Sequence, residues 1–496
     1  VDLVGVWLGS TLRRQDAIAR VTAAPLALVG LRAQAVQREL DQGQPTLVLT
    51  DLRKAPRWER SLARSLISAA AIIEALYGRQ VGSDRLQTQI AGNDALSRAL
   101  FQRNQGPYCE APATESDLNC AALDPRPARI SGLYPAAIQA NRAFCDVIAK
   151  RADADDLMAP FVVVRAADNG DLVATPYHLA WPKLAAQVTT HLNAAAGFLP
   201  KTEAPFAAYL RAAATAFGNG DWVAADEAWS RMRAENSAWY LRIGPDETYF
   251  EPCSRKAGFH MSWARVDKAG LGWKQRLEPL RADLEREVAR LSPKPYTARE
   301  VAFHLPEFIQ IVLNAGDSRS AHGATVGQSL PNFGPVAEQS RGRTVAMTNL
   351  YRDPDSIATR ETQVNSLLCP DAARLAVESG DAAIVGTVLH EAAHNLGANG
   401  SWKVDGRSDD AIFGGSMAAT LEELKAQTLA LHLNAWLQKT GKLRREEGVS
   451  AWLHDITWAF GHISRGMTTP EGKAKPYAQL ASVQIGRLLA AKALTW

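Results

Sequence analysis

His390-Glu391-Ala392-Ala393-His394 decides how this chain is read. The residues around it put it on a helix. Ile384, Val385, Val388 and Leu389 recur at helical spacing between Asp381 and Leu396. Gly380-Asp381 can open that helix and Gly397 can end it. Two histidines four apart on a helix point in nearly the same direction, so both imidazoles can hold one zinc ion. Glu391 lies between them, where it can take a proton from water on such a metal. The competing reading is two histidines satisfied by hydrogen bonds on a partly buried helix.

A hydrolytic zinc site needs three protein ligands and one open position for water. The third candidate is Glu423, in Thr420-Leu421-Glu422-Glu423-Leu424-Lys425-Ala426-Gln427. An amphipathic helix opens there and continues through Leu429, Leu431, Leu433, Trp436 and Leu437. Residues 398–415 before it are rich in Gly, Asp and Ser, as a connection should be. Two alternatives stand beside this reading. Thr420 and Glu423 could form a capping box at the helix start. Glu422 could be the ligand instead, although it points roughly 100° away around the helix.

Four segments resemble, in order, those of the dipeptidyl peptidase III family of zinc peptidases, in a bacterial-type variant. Arg242-Ile-Gly-Pro-Asp-Glu247-Thr-Tyr249-Phe-Glu-Pro252 is similar to that family's E-S-Y-R-D-P. Gly327-Gln-Ser329-Leu-Pro-Asn332 is similar to G-x-N-x-P-N. Gly386 to Gly397 carries the histidine pair, and Leu421 to Gln427 is similar to E-E-C-R-A-E, whose second glutamate binds zinc. The resemblance spans residues 240–465. It implies one Zn2+ on His390, His394 and Glu423, with Glu391 as general base. Tyr249 would donate to the oxyanion of the tetrahedral intermediate. Glu247 and Asn332, with Ser329 beside them, would hold the charged amino end of a peptide. His462, in Phe460-Gly-His-Ile-Ser-Arg465-Gly466, is the loose match to a histidine that aids the transition state.

The chain also departs from the pattern. Familiar members have one residue more, H-E-x-x-G-H. Ser329 replaces an asparagine, Phe250-Glu251 replaces R-D, and Gln427 stands at the last acidic position. Without the family, Tyr249 reads as an amphipathic core residue, Glu247 as a solvated loop charge and Asn332 as a turn residue after Pro331. The glycines near His462 suggest a loop. His304, His322, His432 and His454 have no partner at ligand spacing and read as structural or exposed.

With 496 residues the chain has room for two or three domains. Its 47% hydrophobic and 22% charged residues suit a globular protein. A net charge of +3 does not point to nucleic acid or a membrane surface. The longest apolar run, Ile67 to Ile73, is too short to span a bilayer. The chain begins at Val1, read as a processed or cut start, with a removed signal peptide left open. Five cysteines are few. Cys109 and Cys120 bracket a short loop and suit a disulfide; Cys145, Cys253 and Cys369 read as isolated, and the odd total leaves a free thiol. This leans towards a periplasmic or secreted setting, with the cytoplasm, home of familiar relatives, as the alternative.

Helical spacing is read at Ser61–Leu76, Ala136–Ile148, Ala185–Leu199 and Phe206–Phe217, and strands at Leu47–Thr50, Phe161–Arg165 and Arg343–Leu350. Trp222, Trp229 and Trp239 read as helix-packing core, and the chain from 370 onward as almost wholly helical. The fold expected is mainly α with a smaller β component (α+β). The resemblance implies two lobes separated by a cleft that takes a peptide or other small substrate. A mixed α/β lobe, 1–267 with 313–360, would supply substrate-binding residues. A helical catalytic lobe, 268–312 with 361–496, would hold zinc. Three functions follow: a zinc exopeptidase releasing dipeptides from the amino end, a zinc hydrolase of this fold acting elsewhere, or a metal-stabilised binding protein.

Overall fold

The structure is a computed structural model that describes residues 2–7, 30–42, 46–248, 250–268, 271–301, 307–319, 327–339, 341–376, 381–398, 403–407, 412–413, 415–468 and 474–495. It is 55% helix and 13% strand, so the chain is mainly α with a smaller β component. It divides into two compact units. The first is Val1–Val266 with Ile309–Arg343, the second Asp267–Phe308 with Thr344–Trp496.

In the first unit, β1 (Asp2–Trp7) and β2 (Thr46–Asp51) pair in parallel, and β3 (Val162–Ala166) and β4 (Leu172–Pro176) pair antiparallel. The larger sheet is built on an antiparallel meander of β5 (Trp239–Pro245), β6 (Phe259–Val266) and β7 (Glu307–Gly316). β8 (Gly327–Leu330) is a further strand of this sheet, and β9 (Arg343–Met347) runs from the last residue of this unit into the second. Every residue of β5 is buried, so the strand is apolar on both faces instead of alternating. Trp239 of β5 stacks on Trp263 of β6 with ring centroids 5.0 Å apart.

The long helices between these strands are α1 (Arg57–Val81), α2 (Pro182–Phe198) and α3 (Ala204–Asn219). Leu62, Leu66, Ala69, Ile73 and Leu76 make a buried stripe along α1 at helical spacing. α1 is long and apolar enough to cross a membrane, the one such helix among the described residues, but that stripe is buried inside the unit. At its end, buried Gln80 donates to Ala257 O (2.9 Å) and accepts from Phe259 N (2.7 Å), tying the helix to the start of β6.

Several local readings change. Ala136–Ile148 is not one helix but two short ones, Ala136–Gln139 and Phe144–Ala149. Asn141 Oδ1 accepts from Ala143 N between them, so a side chain competes with the helical ladder. The strand read at Arg343–Leu350 ends at Met347, and a helical turn, Thr348–Arg352, follows. There the Thr348 hydroxyl donates to buried Asp267 (2.6 Å). Trp239 is core, as expected, but lies on a strand. Cys109–Cys120 is a disulfide. Cys145 and Cys253 are not isolated: they form a second disulfide across 108 residues, and Cys369 is free and exposed.

The second unit is a helical assembly. α4 (Arg281–Leu291), α5 (Pro354–Leu367), α6 (Asp381–His394), α7 (Gly415–Lys439), α8 (Arg445–Ile463) and α9 (Pro476–Ala490) are its main helices. Leu284 and Val288 of α4, Val388 and Leu389 of α6 and Leu433 of α7 share one buried core. Gly397, φ +68°, follows α6 as expected for a helix stop. α7 begins at Gly415, earlier than the sequence suggests. Thr420 is therefore interior to the helix, and the capping-box reading of Thr420 and Glu423 fails.

Candidate active site

In the second unit, α6 and α7 pack together and present His390, His394 and Glu423 to one point, their ligand atoms all within 4.8 Å of one another. His390 Nε2 lies 3.1 Å from His394 Nε2 and 3.2 Å from Glu423 Oε2; His394 Nε2 lies 3.8 Å from Glu423 Oε1. The other imidazole nitrogens are engaged. His390 Nδ1 lies 2.9 Å from Gln427 Oε1, and His394 Nδ1 lies 2.9 Å from Glu422 Oε1. An amide oxygen and a carboxylate can only accept, so each Nδ1 carries a proton, and in the neutral ring each Nε2 then presents a lone pair. Two lone pairs and a carboxylate facing one another repel unless a cation joins them. Glu423 Oε2 is moreover buried with no hydrogen-bond donor among the described residues. This donor set suits a divalent metal ion.

The groups behind the imidazoles are held in turn. Glu422 accepts from Lys425 Nζ (2.9 Å), which also donates to Leu396 O and Ala398 O. Burial works against ionised Glu422, but His394 and Lys425 outweigh it and hold its carboxyl below the usual range. Gln427 hydrogen-bonds to Asp455 of α8, whose carboxyl burial pushes up to about 7. Glu391 is raised by burial, partly offset by His390 and His394. A carboxylate poised above its ordinary range suits a proton shuttle. Burial opposes charge on His390, yet Glu423, Glu391 and Gln427 together raise it.

His462 is not on a loop. It occupies the last turn of α8, with its ring 4.3 Å from Trp458 and 5.5 Å from Tyr477. Tyr477 hydrogen-bonds to Glu423, which brings His462 within two side chains of the metal-binding group. Burial, then Arg465, lowers His462 to about 4, so its imidazole is neutral at pH 7. His432 is paired with Glu287 (2.8 Å) on the same unit.

In the first unit, Glu247 and Asn332 are together. Asn332 Nδ2 donates to Glu247 Oε2 (3.0 Å) and to Asp246 O (3.4 Å). Glu247 is placed just beyond β5, where Gly258 N donates to Glu247 O (2.7 Å). Burial and then the Asp246 charge raise Glu247 to about 7. Behind it runs a buried ion network. Arg242 bridges Asp226 (2.6 Å) and Asp246, and Asp246 Oδ2 meets His260 Nε2 (2.5 Å), whose Nδ1 meets Ser318 Oγ (2.7 Å). Burial opposes the charge on Asp246, but Arg242 and His260 outweigh it, leaving its carboxyl well below the usual range. Ser329 stands in β8 and its side chain lies outside the described residues, as do Tyr249, His304 and His322.

Sequence reading passed over three members of this arrangement. Gln427 lies one helical turn after Glu423, and that spacing alone could have placed both on one face of α7. Asp455 and Tyr477 left no such signal, because they reach the group from other helices.

No family model matches the chain, and no curated protein matches it. Solved structures do. The structure of dipeptidyl peptidase III from Caldithrix abyssi superposes with a TM-score of 0.77 at 21% identity, over 92% of this chain and 85% of that one. Dipeptidyl-peptidase III from Corallococcus sp. strain EGB gives a TM-score of 0.73 at 21% identity, over 92% of this chain and 83% of that one. The likeness is one of fold, and that fold is the one expected from the four sequence segments.

Proposed function

We propose that this protein is a zinc-dependent peptidase of the dipeptidyl peptidase III type, releasing dipeptides from the amino end of peptides. The observation that carries the reading is the meeting of His390 Nε2, His394 Nε2 and Glu423, with both Nδ1 protons taken by Gln427 and Glu422. A structural metal site has no use for Glu391, and a buried carboxylate beside the pair is what hydrolysis requires.

His390, His394 and Glu423 would hold the zinc ion, which when bound would supply Lewis acidity. Glu391 takes the proton of the attacking water on its carboxylate and returns it to the leaving amine nitrogen. Gln427 and Glu422 keep both imidazoles in the tautomer that leaves Nε2 free. Tyr249 donates to the oxyanion, a charge present only in the transition state. His462, neutral at pH 7, donates a single N–H to the transition state. Glu247 and Asn332, with Ser329, hold the peptide's ammonium group, so that cleavage is counted from that end. A peptide without a free amine leaves these polar groups unpaired and is rejected.

Dipeptidyl arylamides with free and with blocked amines test the reading. Free-amine substrates are expected to be cleaved in a chelator-sensitive way, and the blocked ones not. Glu391→Gln should keep bound zinc while losing at least about a hundredfold in kcat, the smaller end of general-base effects. Cleavage of blocked substrates at equal rate removes the amino-end counting; full activity in chelator removes the zinc.

A further inference from the structure

We infer that Asp455, on α8, is a positioning residue for the metal centre: it holds the Gln427 amide in the orientation that lets His390 bind a metal ion. The inference rests on the metal-binding reading of His390, His394 and Glu423. Gln427 is buried, and its Oε1 lies 2.9 Å from His390 Nδ1. Unlike a carboxylate, an amide has one end that accepts and one that donates, and the two have nearly the same shape. Turned over, Gln427 would offer an N–H to His390 Nδ1. That nitrogen would then accept, the ring proton would sit on Nε2, and Nε2 would have no lone pair for a metal. The contact to His390 does not choose between these arrangements, because each pairs a donor with an acceptor.

The far end of the amide makes the choice. It hydrogen-bonds to the Asp455 carboxylate, which only accepts, so Nε2 turns to Asp455 and Oε1 to His390. α6 leaves room for that carboxylate. Gly386 lies one turn before His390 on the same face of α6. A Cβ added there would lie 2.5 Å from Asp455 Oδ1 and 3.2 Å from its Cγ. α6, α7 and α8 pack against one another, and Gly386, Gln427 and Asp455 supply one residue from each. Asp455 is outside the ligand group itself and acts on it through Gln427.

Zinc affinity of the whole chain, read by competition with a chromophoric chelator, tests this. Asp455→Ala should weaken zinc about 10–100-fold, the range for groups behind a metal ligand. Gly386→Ala, which puts a methyl group where the carboxylate lies, should weaken it too, and serves if Asp455→Ala loses its cooperative thermal transition. The deciding measurement is made in the Gln427→Glu background. A carboxylate accepts whichever way it turns, so adding either variant to Gln427→Glu should change affinity by no more than about twofold. A variant that merely loosened α8 would weaken zinc equally in both backgrounds, and that result overturns the inference. So does native affinity in Asp455→Ala, which leaves the metal-binding reading standing. A native chain that binds no zinc removes both.

Discussion

At His390 and His394 the nitrogen that faces away from Glu423 decides what the other one can do. Gln427 and Glu422 each accept from an Nδ1–H, so both Nε2 atoms keep lone pairs. A glutamine serves here where the resembling family has an acid, because only an acceptor oxygen is needed. Gln427→Ala and Glu422→Ala should each weaken zinc by about 10–100-fold, read by competition with a chromophoric chelator. With Glu247 as the proposed holder of the peptide's ammonium group, a pH limit follows. Its carboxyl, raised to about 7 by burial and Asp246, is neutral below that pH and charged above it. An ammonium is held only by the charged form. For free-amine peptides kcat/KM should therefore rise as pH increases through about 7. It should fall again once the peptide amine, near 7.7–8.0, loses its proton. Glu247→Gln should flatten the rising limb, and an unchanged limb would separate it from Glu247.

α6 and α7 show what periodicity can and cannot tell at the level of elements. The apolar spacing around His390 and the glycine at 397 mark α6 almost as it is. The start of α7 is hidden in the sequence, because Thr420 and Glu423 mimic a cap whereas the helix already runs from Gly415. Ala136–Ile148 kept helical spacing but lost the helix to Asn141, whose side chain caps a turn of its own. The end of α1 depends on backbone fit. Gly82 has φ +76°, and a Cβ there would lie 2.0 Å from Ile130 O. Gly82→Ala should therefore lower stability by about 2–4 kcal/mol, combining left-handed strain with overpacking, as a lower thermal midpoint. A midpoint within a degree of the native one would show that this chain segment yields.

Across the whole molecule, the first unit is stapled as well as packed. Cys145–Cys253 closes a loop of 108 residues, and loop-closure entropy puts its stabilisation at about 4–5 kcal/mol. The double variant Cys145→Ser/Cys253→Ser should unfold at lower denaturant with the second unit's transition unmoved; coincident loss of both transitions would show the units to be one cooperative body. The likeness of fold to two bacterial dipeptidyl peptidase III structures extends over 92% of the chain at 21% identity. The sequence by itself determined the helix that carries the histidine pair, Glu391 between them and the glutamate on the following helix. Those are local facts, set by 3.6-residue periodicity and by spacing along single helices. Only the tertiary structure decided that Glu423, not a helix cap, meets the histidines, and that Gln427 and Glu422 stand behind them. It also decided that Asn332 reaches Glu247 and that Cys145 finds Cys253. Each of these joins residues far apart in the chain, whose approach is fixed by the packing of whole elements and leaves no trace in spacing.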